Sequence, residues 1–226
     1  MSMPFYVSPE QMMKDRADYA RKGIARGRAL IALQTPTCIV IVAENPSTTL
    51  RKVSEIYDRI AFAGVGKYNE FDQLRVAGVR AAELRGYQYS RNDVDAKSLA
   101  NQYAQVLGDV FSTMGPKPLE VELLVAEVAD TPENDRLFHI LYDGTLLDER
   151  SYCVLGGDAE GIAKRMEASY RNDLDLDSAI KVAVAALTAG DRTLAAADLE
   201  VATLTRSGKR RAFTRVDDAT VASALR

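Results

Sequence analysis

What most constrains this 226-residue chain is the order in which strand-like and helix-like stretches follow one another. Two β-rich runs, 29–34 and 38–43, flank Thr35-Pro36-Thr37, and a third apolar run covers 59–66. Helical periodicity then takes over at 68–87 and 96–114; in the second helix Leu99, Tyr103, Val106, Leu107, Val110 and Met114 form one buried stripe ending at Gly115-Pro116. Extended patterns return at 119–129, 136–142 and 146–155, the last two joined by the turn-forming pair Asp143-Gly144. They are expected to supply a second sheet. Two more helices follow at 158–170 and 175–189, then strands at 198–205 and 211–216 around Ser207-Gly208. Strands, two helices, strands, two helices, strands is not the strict alternation of a doubly wound parallel sheet. The order predicts an α+β fold in which two antiparallel sheets lie between two helical layers. No Pro/Gly/Ser-rich linker interrupts it, so 1–226 reads as a single domain.

Ahead of the first strand, Ser8-Pro9-Glu10-Gln11 announces a helix over about 8–21. Ser8 is the cap, Pro9 the first helical residue, and Gln11 is placed to reach back in a capping box. Residues 1–7 form a separate arm before it.

Charge and composition exclude several function classes. With 29 Lys plus Arg against 32 Asp plus Glu, the net charge of -3 leaves no global field to gather nucleic acid or anionic lipid. Cys38 and Cys153 sit in apolar stretches without CxxC spacing and read as buried, reduced thiols. One histidine, His139, lies in a strand-like run, so no His/Cys cluster can hold zinc, and no metal or cofactor is expected. Neither a signal peptide nor a membrane span is legible, which predicts a cytoplasmic protein.

The local motifs are poor matches to chemistry. In 61–68, AFAGVGKY has a Gly-Lys pair, but a phosphate loop needs Gly at Ala61 and a hydroxyl at Tyr68. In GGDAEG, Asp158 occupies the place of a fingerprint glycine, and its carboxylate would repel a pyrophosphate; it reads as a helix cap. Asp173, Asp175 and Asp177 complement a helix dipole rather than forming a calcium loop. Lys209-Arg210-Arg211, with Arg206 and Arg215, lacks interleaved aromatics and reads as a solvated hairpin.

Several longer segments resemble the α-type subunit of the 20S proteasome core, in its actinobacterial branch. They are SPEQ with YARKGIARGRALIAL, VAENPSTTLRKVSEIYDRIAFAGVGKYNEFDQLR, RGYQYSRNDV, YDGTLLDE and the Gly156-Gly157 pair. The likeness runs over nearly the whole chain. It implies a four-layer αββα sandwich shared with N-terminal-nucleophile hydrolases, and a non-catalytic role. Seven copies would form an outer ring that controls access to the proteolytic chamber of a threonine-type endopeptidase complex. Implied partners are the β subunit, neighbouring α subunits in a heptameric ring, and a ring ATPase or other activator with a C-terminal docking tail. Implied substrates include proteins tagged with a prokaryotic ubiquitin-like protein. In catalytic relatives an N-terminal Thr is the nucleophile; no such Thr heads the first strand here. The alternative is a self-sufficient amidohydrolase using Ser2 after loss of Met1.

The resemblance also implies two sites. Met1, Ser2, Met3, Pro4, Phe5, Tyr6 and Val7 would form the gate, a short apolar arm able to pack with its symmetry mates; the competing reading is a frayed terminus. The Tyr-Asp-Arg gate segment of archaeal and eukaryotic members is absent from residues 1–7. A pocket for an activator's terminal carboxylate would use Arg26, Gly27 and Lys52, with Arg59 the other candidate for the cation.

Overall fold

A computed structural model of the chain describes residues 8–189 and 192–226. The arm at 1–7, and with it every gate residue named above, lies outside the described residues.

The strands are β1 (Leu30–Gln34), β2 (Cys38–Glu44), β3 (Val53–Tyr57), β4 (Ile60–Gly66), β5 (Val121–Glu127), β6 (Arg136–Ile140), β7 (Leu146–Glu149), β8 (Tyr152–Leu155), β9 (Leu199–Thr205) and β10 (Phe213–Val216). They form two antiparallel five-stranded sheets, ordered β10-β9-β2-β1-β8 and β3-β4-β5-β6-β7. The helices are α1 (Pro9–Ala25), α2 (Tyr68–Gln88), α3 (Ala96–Ser112), α4 (Ala159–Ser169), α5 (Leu176–Leu187) and α6 (Asp218–Ala224).

Period-two geometry sends alternate residues of each central strand to opposite faces, and both faces are covered. Leu30, Ile41, Ala63, Val65 and Leu124 meet between the sheets. On the far side of the first sheet, Ile31, Leu33, Val40 and Val42 pack against Ile162, Met166 and Ile180 of α4 and α5. On the far side of the second, Phe62, Leu123 and Val125 pack against Phe71, Leu99, Tyr103 and Leu107 of α2 and α3. Three cores thus separate four layers, and the αββα sandwich expected from the element order is the fold. Double coverage also explains why β2 and β4 read as continuous apolar runs instead of alternating ones.

The structure corrects the element boundaries in four places. Strand β3 was not expected; its pairing with β4 is broken by a bulge between Glu55 and Tyr57, which interrupts the alternation that would have marked it. The single run at 146–155 is two strands in different sheets: β7 pairs with β6, and β8 with β1. The chain changes sheets at Ser151, the one described non-glycine residue at positive φ (69°). The strands therefore do not divide into an early and a late sheet, because each sheet draws on both halves of the chain. Finally, α1 runs one turn further than expected, to Ala25, and α6 follows β10.

Candidate functional site

Helix α1 begins as the sequence predicts: Ser8 Oγ accepts from Gln11 N at 3.2 Å. The capping box does not form, because the Gln11 side chain donates forward to Asp15 Oδ1 at 2.7 Å. Ala20 and Ile24 insert into the inter-sheet core and fix the helix across one end of the sandwich, against β4 and β5. Arg16 fastens it sideways. Its guanidinium donates to the carbonyls of Val110 (2.9 Å) and Phe111 (3.0 Å), satisfying acceptors left free at the end of α3, and to that of Pro116 (2.8 Å) in the loop beyond it.

The segment that follows α1 carries two of the expected pocket residues. Arg26 is the exposed C-cap of α1, and it makes no ion pair among the described residues. Gly27 N donates to Ile24 O at 2.8 Å, closing the last turn. A Cβ on Gly27 would stand 3.1 Å from Gly66 N and 3.0 Å from Ile24 O, so backbone lies on backbone here. Gly66 is itself constrained, with φ at +98° and a virtual Cβ 2.0 Å from Glu120 O.

Lys52 reaches the same place from the start of β3. Its carbonyl accepts from Gly64 N at 3.1 Å, and its Nζ donates to Arg28 O at 2.5 Å, one residue beyond Gly27. Burial draws the Lys52 ammonium down to about 8; Arg28 adds to that shift, while Glu44 and Glu200 oppose it. Glu44, buried at the end of β2, accepts from Arg28 Nη1 at 3.0 Å and is also bonded by Arg192. Arg59 is elsewhere: at the β3–β4 turn its Nε donates to Val128 O at 2.8 Å and its Nη2 pairs with Asp130 at 3.0 Å. The five residues of β3 separate the two cations, roughly 17 Å at strand rise. Lys52 and Gly27 therefore share one end of the sandwich, and Arg59 marks the other.

Chemically, the Lys52 end offers cations and close-set backbone, which suits a carboxylate held by charge-assisted hydrogen bonds. Glu44, Asn45 and Glu200, which organise this end, were missed by sequence reasoning, and Arg215, which joins them, reads in the sequence as part of a solvated hairpin but pairs with buried Glu200. They come from distant parts of the chain, and no spacing motif connects them.

The remaining motifs have structural roles. Asp158, Asp175 and Asp217 cap α4, α5 and α6 by accepting from Gly161, Ser178 and Thr220 backbone N–H groups. Lys67 precedes α2, with its ammonium 3.7 Å from Glu70. In the basic hairpin, Arg211 pairs with Glu55 and Arg206 with buried Asp135. His139 faces Glu122 at 3.4 Å inside the second sheet. Cys38 and Cys153 are both buried free thiols, and burial pushes the Cys153 thiol up. No group of three or more His, Cys, Asp or Glu is placed to hold a metal among the described residues, nor is any described helix long and apolar enough to cross a membrane.

A family model described as "Proteasome subunit" matches residues 24–204. A protein named "Proteasome subunit alpha" from Acidimicrobium ferrooxidans is 60% identical over 225 residues, which cover 100% of this chain and 97% of that protein. Proteins of the same name from Xylanimonas cellulosilytica and Acidothermus cellulolyticus are 55% and 53% identical over 230 and 231 residues. Those alignments cover 97% and 100% of this chain, and 94% and 99% of the relatives.

Proposed function

This chain belongs to the proteasome subunit family as an α subunit, and on that premise we propose that it builds the outer heptameric ring of a threonine-type endopeptidase complex, gates substrate passage and docks an activator. The chain acts as one domain and is not itself the hydrolase. The β subunit supplies the nucleophile, and neighbouring copies complete the ring. A ring ATPase or another activator inserts its C-terminal tail beside Lys52, Arg26 and Gly27, α1 shifts, and the arms formed by residues 1–7 separate. On this reading the particle works in the cytoplasm, on proteins that include those carrying a prokaryotic ubiquitin-like tag.

The observation that carries the docking reading is the hydrogen bond from Lys52 Nζ to Arg28 O, one residue beyond Gly27 at the foot of α1. A carboxylate bound there would sit against the element that leads to the arm. The test uses the assembled particle. Lys52→Ala should cut activator-stimulated protein degradation about tenfold more than basal peptide cleavage, in line with one lost charge-assisted hydrogen bond. Equal loss of both in particles whose native mass shows full assembly would overturn the docking assignment. Deleting residues 2–7 should raise basal peptide cleavage, and unchanged cleavage would remove the gate.

A further inference from the structure

Glu200 lies in β9 with its carboxylate only 2% exposed, a costly place for a charge unless each oxygen is satisfied. Both are. Oε2 accepts from Lys52 N and from Asn45 Nδ2, each at 2.8 Å. Oε1 accepts from Arg215 Nη1 at 2.6 Å and from Val53 N at 3.3 Å. Three of these four donors belong to the segment 45–53, which carries Lys52.

The grip extends along that segment. Asn45 Nδ2 also donates to Leu50 O at 2.7 Å, its Oδ1 accepts from Ser47 N at 3.2 Å, and Ser47 Oγ accepts from Leu50 N at 3.0 Å. Arg215 Nη2 donates to Val53 O at 2.7 Å, holding the same strand from the other side. A stretch with no helix or strand of its own before Val53 is thus tied to the first sheet through one buried acid.

We propose that Glu200 is the positioning residue of the tail-docking site, fixing where the Lys52 ammonium stands by clamping the Lys52 and Val53 backbone. This rests on the reading of Lys52 as a carboxylate receptor. The division of labour follows from the donors. Glu200 takes hold of Lys52 through its amide, not its ammonium, so the acid does not neutralise the cation by direct pairing. Of the three N–H groups on the ammonium, one is given to Arg28 O, and no hydrogen bond to another of the described residues takes the other two, which a ligand carboxylate can accept. Glu44, the other acid acting on Lys52, is bonded by Arg28 and Arg192.

The experiment compares assembled particles carrying wild-type chain, Glu200→Gln, Lys52→Ala and both substitutions. First, the acylation rate of the Lys52 amine is followed against pH by mass spectrometry, a readout that needs no tail. The wild-type midpoint should fall at about 8. Glutamine cannot accept from all four donors, so the segment loosens, the amine leaves its buried place, and the midpoint rises toward that of an ordinary lysine. If the amine stayed in place, removing the Glu200 charge, which favours the ammonium, would lower the midpoint instead. A lowered or unchanged midpoint overturns the proposal. Asn45→Ala, which loosens only the segment, should move the midpoint upward by less, so the proposal stays testable even if Glu200→Gln fails to assemble.

Second, a fluorescent pentapeptide with a free C-terminal carboxylate, and its C-terminal amide, are titrated onto each particle. Glu200→Gln should lower the preference for carboxylate over amide by about tenfold, with the double variant no worse than Lys52→Ala alone. Full preference in Glu200→Gln beside lost preference in Lys52→Ala overturns the positioning role and spares the docking reading. Preference retained in Lys52→Ala overturns the docking reading, while the acylation profile still decides whether Glu200 places the amine.

Discussion

At the turn of the β3–β4 hairpin, Arg59 pairs with Asp130, Arg91 grips Asp58 through two nitrogens at 2.6 and 2.9 Å, and Arg206 and Arg211 pair with Asp135 and Glu55. At the open end of the same hairpin, Lys52 donates to a neutral carbonyl, and the nearby acid Glu200 is occupied by backbone amides, Asn45 and Arg215. Both ends hold arginine–carboxylate pairs, those at the open end being Arg28 and Arg192 with Glu44 and Arg215 with Glu200, and the difference lies in Lys52, whose ammonium faces a carbonyl. Carboxylates directly opposite the guanidinium groups turn the first end into internal cross-links; Arg91 holds the Asp58 carboxyl below the usual carboxylate range. A cation facing a carbonyl keeps most of its charge available for a ligand. Positive residues in a sequence therefore say little about anion binding until their partners are known.

Three measurements test this contrast. The largest effect is expected from Arg206→Ala at the turn end, because it strands Asp135, whose side chain is 0% exposed, without its guanidinium. Denaturant unfolding should show a loss of about 3–5 kcal/mol, as for other buried pairs deprived of one partner; a loss below about 1 kcal/mol would mean that this end is not cross-linked as described. An intermediate effect belongs to the Lys52 end and is read by pH. With its ammonium titrating at about 8, Lys52 is mostly charged at pH 7 and mostly neutral at pH 9, so carboxylate affinity should fall roughly tenfold between them. An affinity flat across that range would assign the binding to a guanidinium. The smallest effect is expected for Arg59→Ala. The pair is surface-exposed, with Asp130 92% accessible, so a stability loss of about 0.2–1 kcal/mol and an unaltered pH profile of carboxylate binding should result. A change in that profile would return Arg59 to candidacy for the pocket.

The layered fold was legible because the blocks of period two and period 3.6 are long and well capped: Ser8, Asp158 and Asp175 mark helix starts in the sequence and cap them in the structure. What stayed hidden has local causes. The bulge at Glu55/Tyr57 masked β3. No glycine or proline announces the change of sheets at Ser151, where a left-handed non-glycine residue is disfavoured by about 1–2 kcal/mol. Helix α6 spans seven residues, too few for periodicity to declare itself. For the proposed docking site, Arg26, Gly27 and Lys52 were named only through family resemblance, while the contacts of Glu200 and Asn45 with this segment were out of reach. Their contact joins positions 155 residues apart, and a lone Glu in an apolar strand carries no sign of the amides it will meet.

The fastening of α1 gives the helix a mechanical character. From Arg16 to Gly27 it is clamped, by three hydrogen bonds at one end and by backbone contact with Gly66 at the other, whereas Pro9 to Asp15 overhang the sandwich as a mostly exposed cantilever. Seventeen residues make a rigid beam about 25 Å long. The seven overhanging residues span about 10 Å, so a tilt of about 5° about the Arg16 clamp sweeps the Pro9 tip through about 1 Å. The overhang multiplies displacement, so a rotation that moves atoms at the Arg16 clamp by tenths of an ångström carries the Pro9 tip several times as far.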